Sequence, residues 1–476
     1  MRTFIELVRD SLFSAIVYLA PRFANVLLFI LIGRQTGPAQ AGLFSLATTY
    51  LIIFTTITRG LDDLVIRQVS REPDQAPRYL TNFLLLRLGL SLLSYCVLLL
   101  VVLVIFHYDN STAVPILILT LSLVPDNLTL VAQAILLGQR RFGPPAITMT
   151  LTSLFKLIGG GLVLASGGSL YQIAWVWLIG SILGMVLLLI IAVRGVGWLQ
   201  RADWLDWRPL TRNWRAALPF VFITTMMTLE GQADVILLST FRNEAEVGWY
   251  SAATTVAFSF AMLSQAYRMS VYPLMARYAL QSPAKLSRLY EWSLHYLGVL
   301  ILPLVTGVAL LSPRIVLLVF GSKFQPTAKV LQVLILALVF MFLNVPNARI
   351  MLVKDRQGWN SLFLLGSVMS NLLLNLALDR PWGALGAAVA RLFSSAIYFV
   401  LSYLYVVHFL TRVNLIKLLS KPMLATLMMA VAVLSVRTLP LPIPIGVGVV
   451  AYAGTLWLVR GVLPDGASAG LWRKAV

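Results

Sequence analysis

Apolar residues fall in runs of about 20 along the whole chain, each long enough to cross roughly 30 Å of hydrocarbon as an α-helix. Short segments rich in Arg, Asp, Gly and Pro separate them. The pattern predicts helices near 11–32, 42–61, 81–106, 113–136, 143–166, 170–193, 217–240, 248–274, 290–312, 327–350, 358–378, 383–406, 421–438 and 445–460. That is an all-α, polytopic membrane protein with about 14 transmembrane helices. The first ten residues read as an amphipathic stretch on the membrane surface. The first run lacks a small-residue cleavage site and many more runs follow, so a removable signal peptide is not expected.

Composition agrees: of 476 residues 59% are hydrophobic and 12% charged, with mean hydropathy +0.86, which excludes an ordinary soluble domain. The single cysteine, Cys96, lies in an apolar run, and His107, His295 and His408 are scattered, so neither a disulfide nor a metal site is expected. The net charge of +19 raises nucleic acid as a partner, but its distribution argues against it. Basic residues alternate between loops: 23 of 37 fall on one side, among them Arg67, Arg71, Arg140, Arg141, Arg212 and Arg277, against seven on the other. By the positive-inside rule both termini are cytoplasmic, and most of the charge is topological, with attraction to anionic membrane lipid as a by-product.

An internal repeat is visible. Gly42-Leu43-Phe44-Ser45-Leu46-Ala47-Thr48-Thr49 and Gly248-Trp249-Tyr250-Ser251-Ala252-Ala253-Thr254-Thr255 agree at five of eight positions, 206 residues apart, and Arg71 matches Arg277 at the same offset. Six helices per repeat is an even number, so both units cross in the same sense. The expected organisation is two parallel six-helix lobes around a central cavity. These are residues 1–193 and 217–410, joined by a cytoplasmic linker over 194–216, with two extra helices and a tail over 411–476.

The string Gly33-Arg34-Gln35-Thr36-Gly37-Pro38-Ala39-Gln40-Ala41-Gly42-Leu43 resembles the first-loop signature of the polysaccharide transporter family, within the multidrug/oligosaccharidyl-lipid/polysaccharide exporter superfamily. Asp234 through Val247-Gly248-Trp249-Tyr250 resembles its second-lobe counterpart. The run from Pro313 to Phe324 is similar to the loop after helix nine, and Trp382-Gly383-Ala384-Leu385-Gly386-Ala387-Ala388 to the opening of helix twelve. The resemblance implies a flippase that moves undecaprenyl-diphosphate-linked oligosaccharides across the bacterial inner membrane. It would work without ATP, as a monomer, beside polymerase and assembly proteins of surface polysaccharide export.

Seven basic residues sit within runs that must otherwise be embedded in lipid: Arg22, Arg59, Arg87, Lys156, Arg268, Arg349 and Arg391. A charge there costs several kcal/mol, so it faces a water-filled cavity or a partner. Arg22, with Asn25 one turn on, Arg59 and Arg268 are candidates to bind an anionic head group. Lys156 and Arg391, on equivalent helices of the two lobes, are candidates to extend the attraction toward acidic sugars. The alternatives are ion pairs (Asp126 with Lys156 or Arg22) and snorkelling of Arg59 or Arg268 to the interface. Glu230 and Asp234, at i,i+4, share a helix face and form a candidate proton or sodium site, or else a salt-bridge partner for Arg268. No cofactor is expected.

Two other classes stand against the flippase reading. A cation-coupled drug exporter of the same fold would place an acid where Arg22 stands. A polyprenyl-linked glycosyltransferase or polymerase needs catalytic residues on a sizeable external loop, and the longest polar loop here, 194–216, is cytoplasmic by charge.

Overall fold

The computed structural model describes residues 2–59, 62–196 and 208–462. All regular structure among them is helical. The helices are α1 (Arg2–Thr36), α2 (Pro38–Arg59), α3 (Asp62–Arg71), α4 (Ala76–Leu100), α5 (Asn110–Thr120), α6 (Leu123–Gly138), α7 (Gly143–Ala165), α8 (Leu170–Val196), α9 (Arg208–Phe241), α10 (Glu244–Ser259), α11 (Ala261–Gln281), α12 (Pro283–Phe320), α13 (Thr327–Val353), α14 (Gln357–Trp382), α15 (Ala384–Phe409), α16 (Leu415–Ser435) and α17 (Pro442–Leu458). Ten spans among the described residues are long and apolar enough to cross a membrane. The protein is a multi-pass, all-α membrane protein.

Each of the fourteen predicted helices has its counterpart, with three differences of detail. The run predicted over 113–136 is split into α5 and α6, because Pro125 has no amide hydrogen to offer and sits in the first turn of α6, where none is needed. The run over 248–274 is split at Phe260 into α10 and α11. The helix predicted over 290–312 continues through Pro313 to Phe320, since the apolar run Ile315–Phe320 extends it, so most of the expected loop after it is helical. The short α3 was not predicted as a helix. It is amphipathic, burying Val65 and Val69 beneath a charged outer face.

The chain forms two compact units, Met1–Gly248 and Trp249–Val476. In the first, α1 packs on α7, α2 on α5 and α9, α4 on α6, and α6 on α8 and α3. Val17, Ala24, Leu28 and Ile32 are buried and share one side of α1. Gly159 and Gly160 of α7 have room for no side chain: a Cβ on Gly159 would meet Val176 of α8, and one on Gly160 would meet Leu28 of α1. The glycine run therefore lets α7 lie close between two neighbours, as small residues do in membrane helix pairs. Gly37, between α1 and α2, has φ +99°, a conformation that favours glycine and explains the Gly-Pro of the first-loop string.

The two repeat glycines meet within this unit. A Cβ on Gly42 would collide with the Glu244 carbonyl, and one on Gly248 with the Pro38 carbonyl. Around this contact Thr112 donates to Glu244 at 2.8 Å and Thr49 to Gln232 at 3.2 Å, while the hydroxyls of Tyr108 and Ser239 are 2.6 Å apart. Burial pushes the Tyr108 phenol above its ordinary range.

In the second unit α12 packs on α13 and α16, α13 on α15, α14 on α15, and α11 on α12 and α13. Tyr290, Leu294, Leu343, Ile350, Phe399 and Val406 fill its main core. A polar seam runs through it: Tyr290 donates to Asn347 Oδ1 at 2.6 Å, and Asn347 donates to Ser402 at 3.0 Å. His295 is buried, with its ring nitrogens 3.1 and 3.0 Å from the carbonyl oxygens of Leu418 and Gly461.

Candidate functional site

The intramembrane cations divide by what surrounds them. Arg87 of α4 is 1% exposed and pairs with Asp62, the first residue of α3, while its Nη1 donates to Asn127 of α6 at 3.1 Å. This cation is a structural anchor. Lys156 of α7 lies 3.9 Å from Asp126 and 4.4 Å from the centroid of the Trp177 ring, with its side chain 15% exposed. Of the two partners open to Asp126 in the sequence, the structure selects Lys156. Arg391 of α15 is buried and has an interaction partner; Ser394 on the same helix, and Asn371 and Asp379 on the adjoining α14, are buried too.

Arg22 differs from these. It lies on the side of α1 opposite the buried Ala24 and Leu28, exposed, with the half-buried Asn25 one turn on. It makes no ion pair among the described residues. Arg59 closes α2, and its side chain lies outside the described residues. On α9, Asp234 is 1% exposed and Glu230 half-buried, and both have interaction partners.

Arg268, half-buried on α11, is joined by a residue that sequence reasoning counted among the membrane cations but gave no role. Arg349 of α13 lays its guanidinium over the ring of Tyr272, with Cζ 5.6 Å from the centroid. Tyr272 is four residues after Arg268 on α11, so the two share a helix face. Arg268 and Arg349 stand on helices, α11 and α13, that pack against each other. Neither has a carboxylate partner among the described residues, and the Arg349 Nε is buried without a hydrogen-bond partner. The Arg268–Tyr272 spacing was legible in the sequence. The approach of α13, some 80 residues on, was not.

Beside Arg268, an apolar cavity of about 780 Å³ opens in the same unit between α11, α12 and α17. Leu263, Val271, Leu297, Leu300, Pro303 and Tyr452 line most of it. The unit thus carries an uncompensated cationic group next to an apolar hollow, a combination suited to an amphiphile with an anionic head.

The family model described as "Polysaccharide biosynthesis protein" matches residues 7–279, more than half of the chain. The chain belongs to this family. It is 25% identical over 418 residues to the probable low-salt glycan biosynthesis flippase Agl15 of Haloferax volcanii, covering 86% of this chain and 85% of that protein. Its fold is that of the lipid II flippase MurJ in an inward closed conformation, with TM-score 0.76 and 17% identity over 94% of this chain and 99% of the other. An inward-facing multidrug resistance transporter of the MATE family, in the MOP superfamily, shares the fold less fully, with TM-score 0.63 and 13% identity over 82% and 96% of the two chains.

Proposed function

We propose that the protein is a flippase. It moves an undecaprenyl-diphosphate-linked oligosaccharide from the cytoplasmic to the outer leaflet of a bacterial inner membrane by alternating access, for surface polysaccharide export. The observation that carries this reading is the pair of membrane-helix arginines, Arg22 and Arg268, that have no counter-charge among the described residues. A guanidinium left so within a membrane-embedded run is costly unless water or an anion joins it, and its planar fork suits phosphate oxygens. Family membership in polysaccharide biosynthesis supports a glycan as cargo, and the name of the Haloferax relative supports flipping as the step.

In this reading Arg22, with Asn25 and Arg59, in the first unit and Arg268 in the second are each candidate contacts for the anionic head group, and the polyprenyl chain stays in apolar surroundings. The repeat supports two lobes, 1–193 and 217–410, linked through 194–216. The charge asymmetry of the loops supports cytoplasmic termini. With the cytoplasm negative, outward movement of the anion is downhill by about 2.3 kcal/mol per charge per 100 mV, so no nucleotide is required. Glu230 and Asp234 are the proposed site for a coupling proton or sodium ion.

The test is complementation of a flippase-deficient, polysaccharide-producing strain. Arg22→Ala and Arg268→Ala should each abolish surface polysaccharide while the protein remains inserted at normal abundance. Wild-type export from both variants overturns the reading.

A further inference from the structure

We infer that Glu244, Thr112 and Ser239 in the first unit form a site for one sodium ion, and that the ion locks together the ends of α2, α5 and α9 that meet there. The cavity between them has a volume of about 30 Å³ and is walled also by Tyr108, Arg242 and Gly42. That is the space of about one water molecule or one small ion. Under the proposed topology it lies at the extracytoplasmic face. The hydroxyl protons show what the cavity lacks. Ser239 has one, and it goes to the Ile236 carbonyl at 2.7 Å. Tyr108, 2.6 Å from Ser239, is therefore the donor to it, and Tyr50, 3.3 Å from Tyr108, is the donor in turn. Thr112 gives its proton to Glu244 Oε1 at 2.8 Å. Each hydroxyl on the wall has thus given its proton away and keeps lone pairs, which leaves the cavity rich in acceptors. Arg242, the exception, has Nη1 3.5 Å from Glu246, which balances its charge. Glu244 is half-buried and pairs with no Lys or Arg among the described residues. A carboxylate so placed is costly without a counter-charge. Oxygen ligands with a single negative charge suit a hard monovalent cation, whereas a divalent ion calls for more oxygens than this space holds.

The walls come from segments far apart in the chain, so an ion held by all of them binds only while they are joined. Backbone contact closes the same end, since a Cβ on Gly42 would meet the Glu244 carbonyl and one on Gly248 the Pro38 carbonyl. A ligand that binds only the joined form stabilises it. Sodium would therefore hold this end of the first unit shut whatever cargo the chain carries, and apart from any ion taken by Glu230 and Asp234.

The experiment uses the full chain in nanodiscs of zwitterionic lipid, with radiolabelled sodium ion as the probe and choline chloride holding ionic strength constant. Wild-type protein should retain sodium, Glu244→Gln should weaken its binding by about tenfold or more, and Asp234→Asn should leave the Glu244-dependent binding in place. Equal binding by wild type and Glu244→Gln overturns the site, as does loss of all binding in Asp234→Asn. Absence of sodium binding by the wild type assigns the cavity to water and overturns it too. Should Glu244→Gln fail to fold, Thr112→Val, which removes a neutral ligand, tests the same claim by weakening sodium binding. The lock has its own readout. Thr49→Cys in a Cys96→Ser background places a thiol on α2 where the native side chain is 3% exposed and bonded to Gln232 of α9. A water-soluble maleimide should label it about tenfold more slowly at sodium ten times its Kd than in choline, since binding to the joined form alone lowers the open population by about that factor. Equal labelling rates overturn the lock. Neither readout requires transport, so both stand if the protein flips nothing.

Discussion

A membrane-helix arginine with a fixed carboxylate and one without do different work, and the buried Arg87 and half-buried Arg268 illustrate the contrast. Arg87 ties the start of α3 to α4 and, through Asn127, to α6. Replacing one partner of a buried ion pair strands the other, at a cost of about 3 kcal/mol. Arg87→Met should therefore lower the apparent melting temperature of the purified protein in detergent, whereas Arg268→Ala should leave it near the wild-type value. The reverse order would mean that Arg268 is the structural cation. The sequence could list seven membrane cations but not sort them, because pairing is a long-range event. Asp62 is 25 residues from Arg87, and Asp126 is 30 residues from Lys156. Spacing along one helix, as for Arg268 and Tyr272 or Glu230 and Asp234, was legible. Approach between helices, as for Arg349, was not.

Among the elements, helix number and order were readable because about 20 apolar residues in a row have few other fates in lipid. The breaks were less so. Pro125 opens α6, yet Pro303 and Pro313 sit inside an unbroken α12, so proline alone does not mark an end. The repeat was visible as sequence, and its physical reason appears only in the fold. Gly42 and Gly248 permit backbone contact with Glu244 and Pro38, where any side chain would collide. Gly42→Val should destabilise the protein by about 1–3 kcal/mol or more, since backbone cannot move aside as a side chain can. Gly89, in α4 with open space around it, supplies the comparison. Gly89→Ala should be neutral or stabilise by about 1 kcal/mol through helix propensity. Thermal unfolding of the two variants side by side checks both statements, and equal destabilisation would refute the close-contact account.

For the molecule as a whole, the remaining question is what drives a cycle. Asp234 is nearly inaccessible on α9 and Glu230 lies one turn before it. If these carboxylates exchange a cation, flipping by wild-type protein in liposomes should change severalfold when a proton or sodium gradient is imposed, and Asp234→Asn should lose that response. Indifference of the wild type to both gradients rejects coupling through this pair.

The two C-terminal helices fall outside the internal repeat, and their attachment decides what they can be. His295 faces backbone carbonyls before α16 ends and after α17, Tyr452 of α17 donates to the Val299 carbonyl at 2.7 Å, and Arg314 donates to the Leu439 carbonyl. All three fastenings reach the same long helix, α12. The terminal pair is thereby riveted to its host as a passenger rather than hung as a swinging door, and a label fixed to it would report the travel of α12.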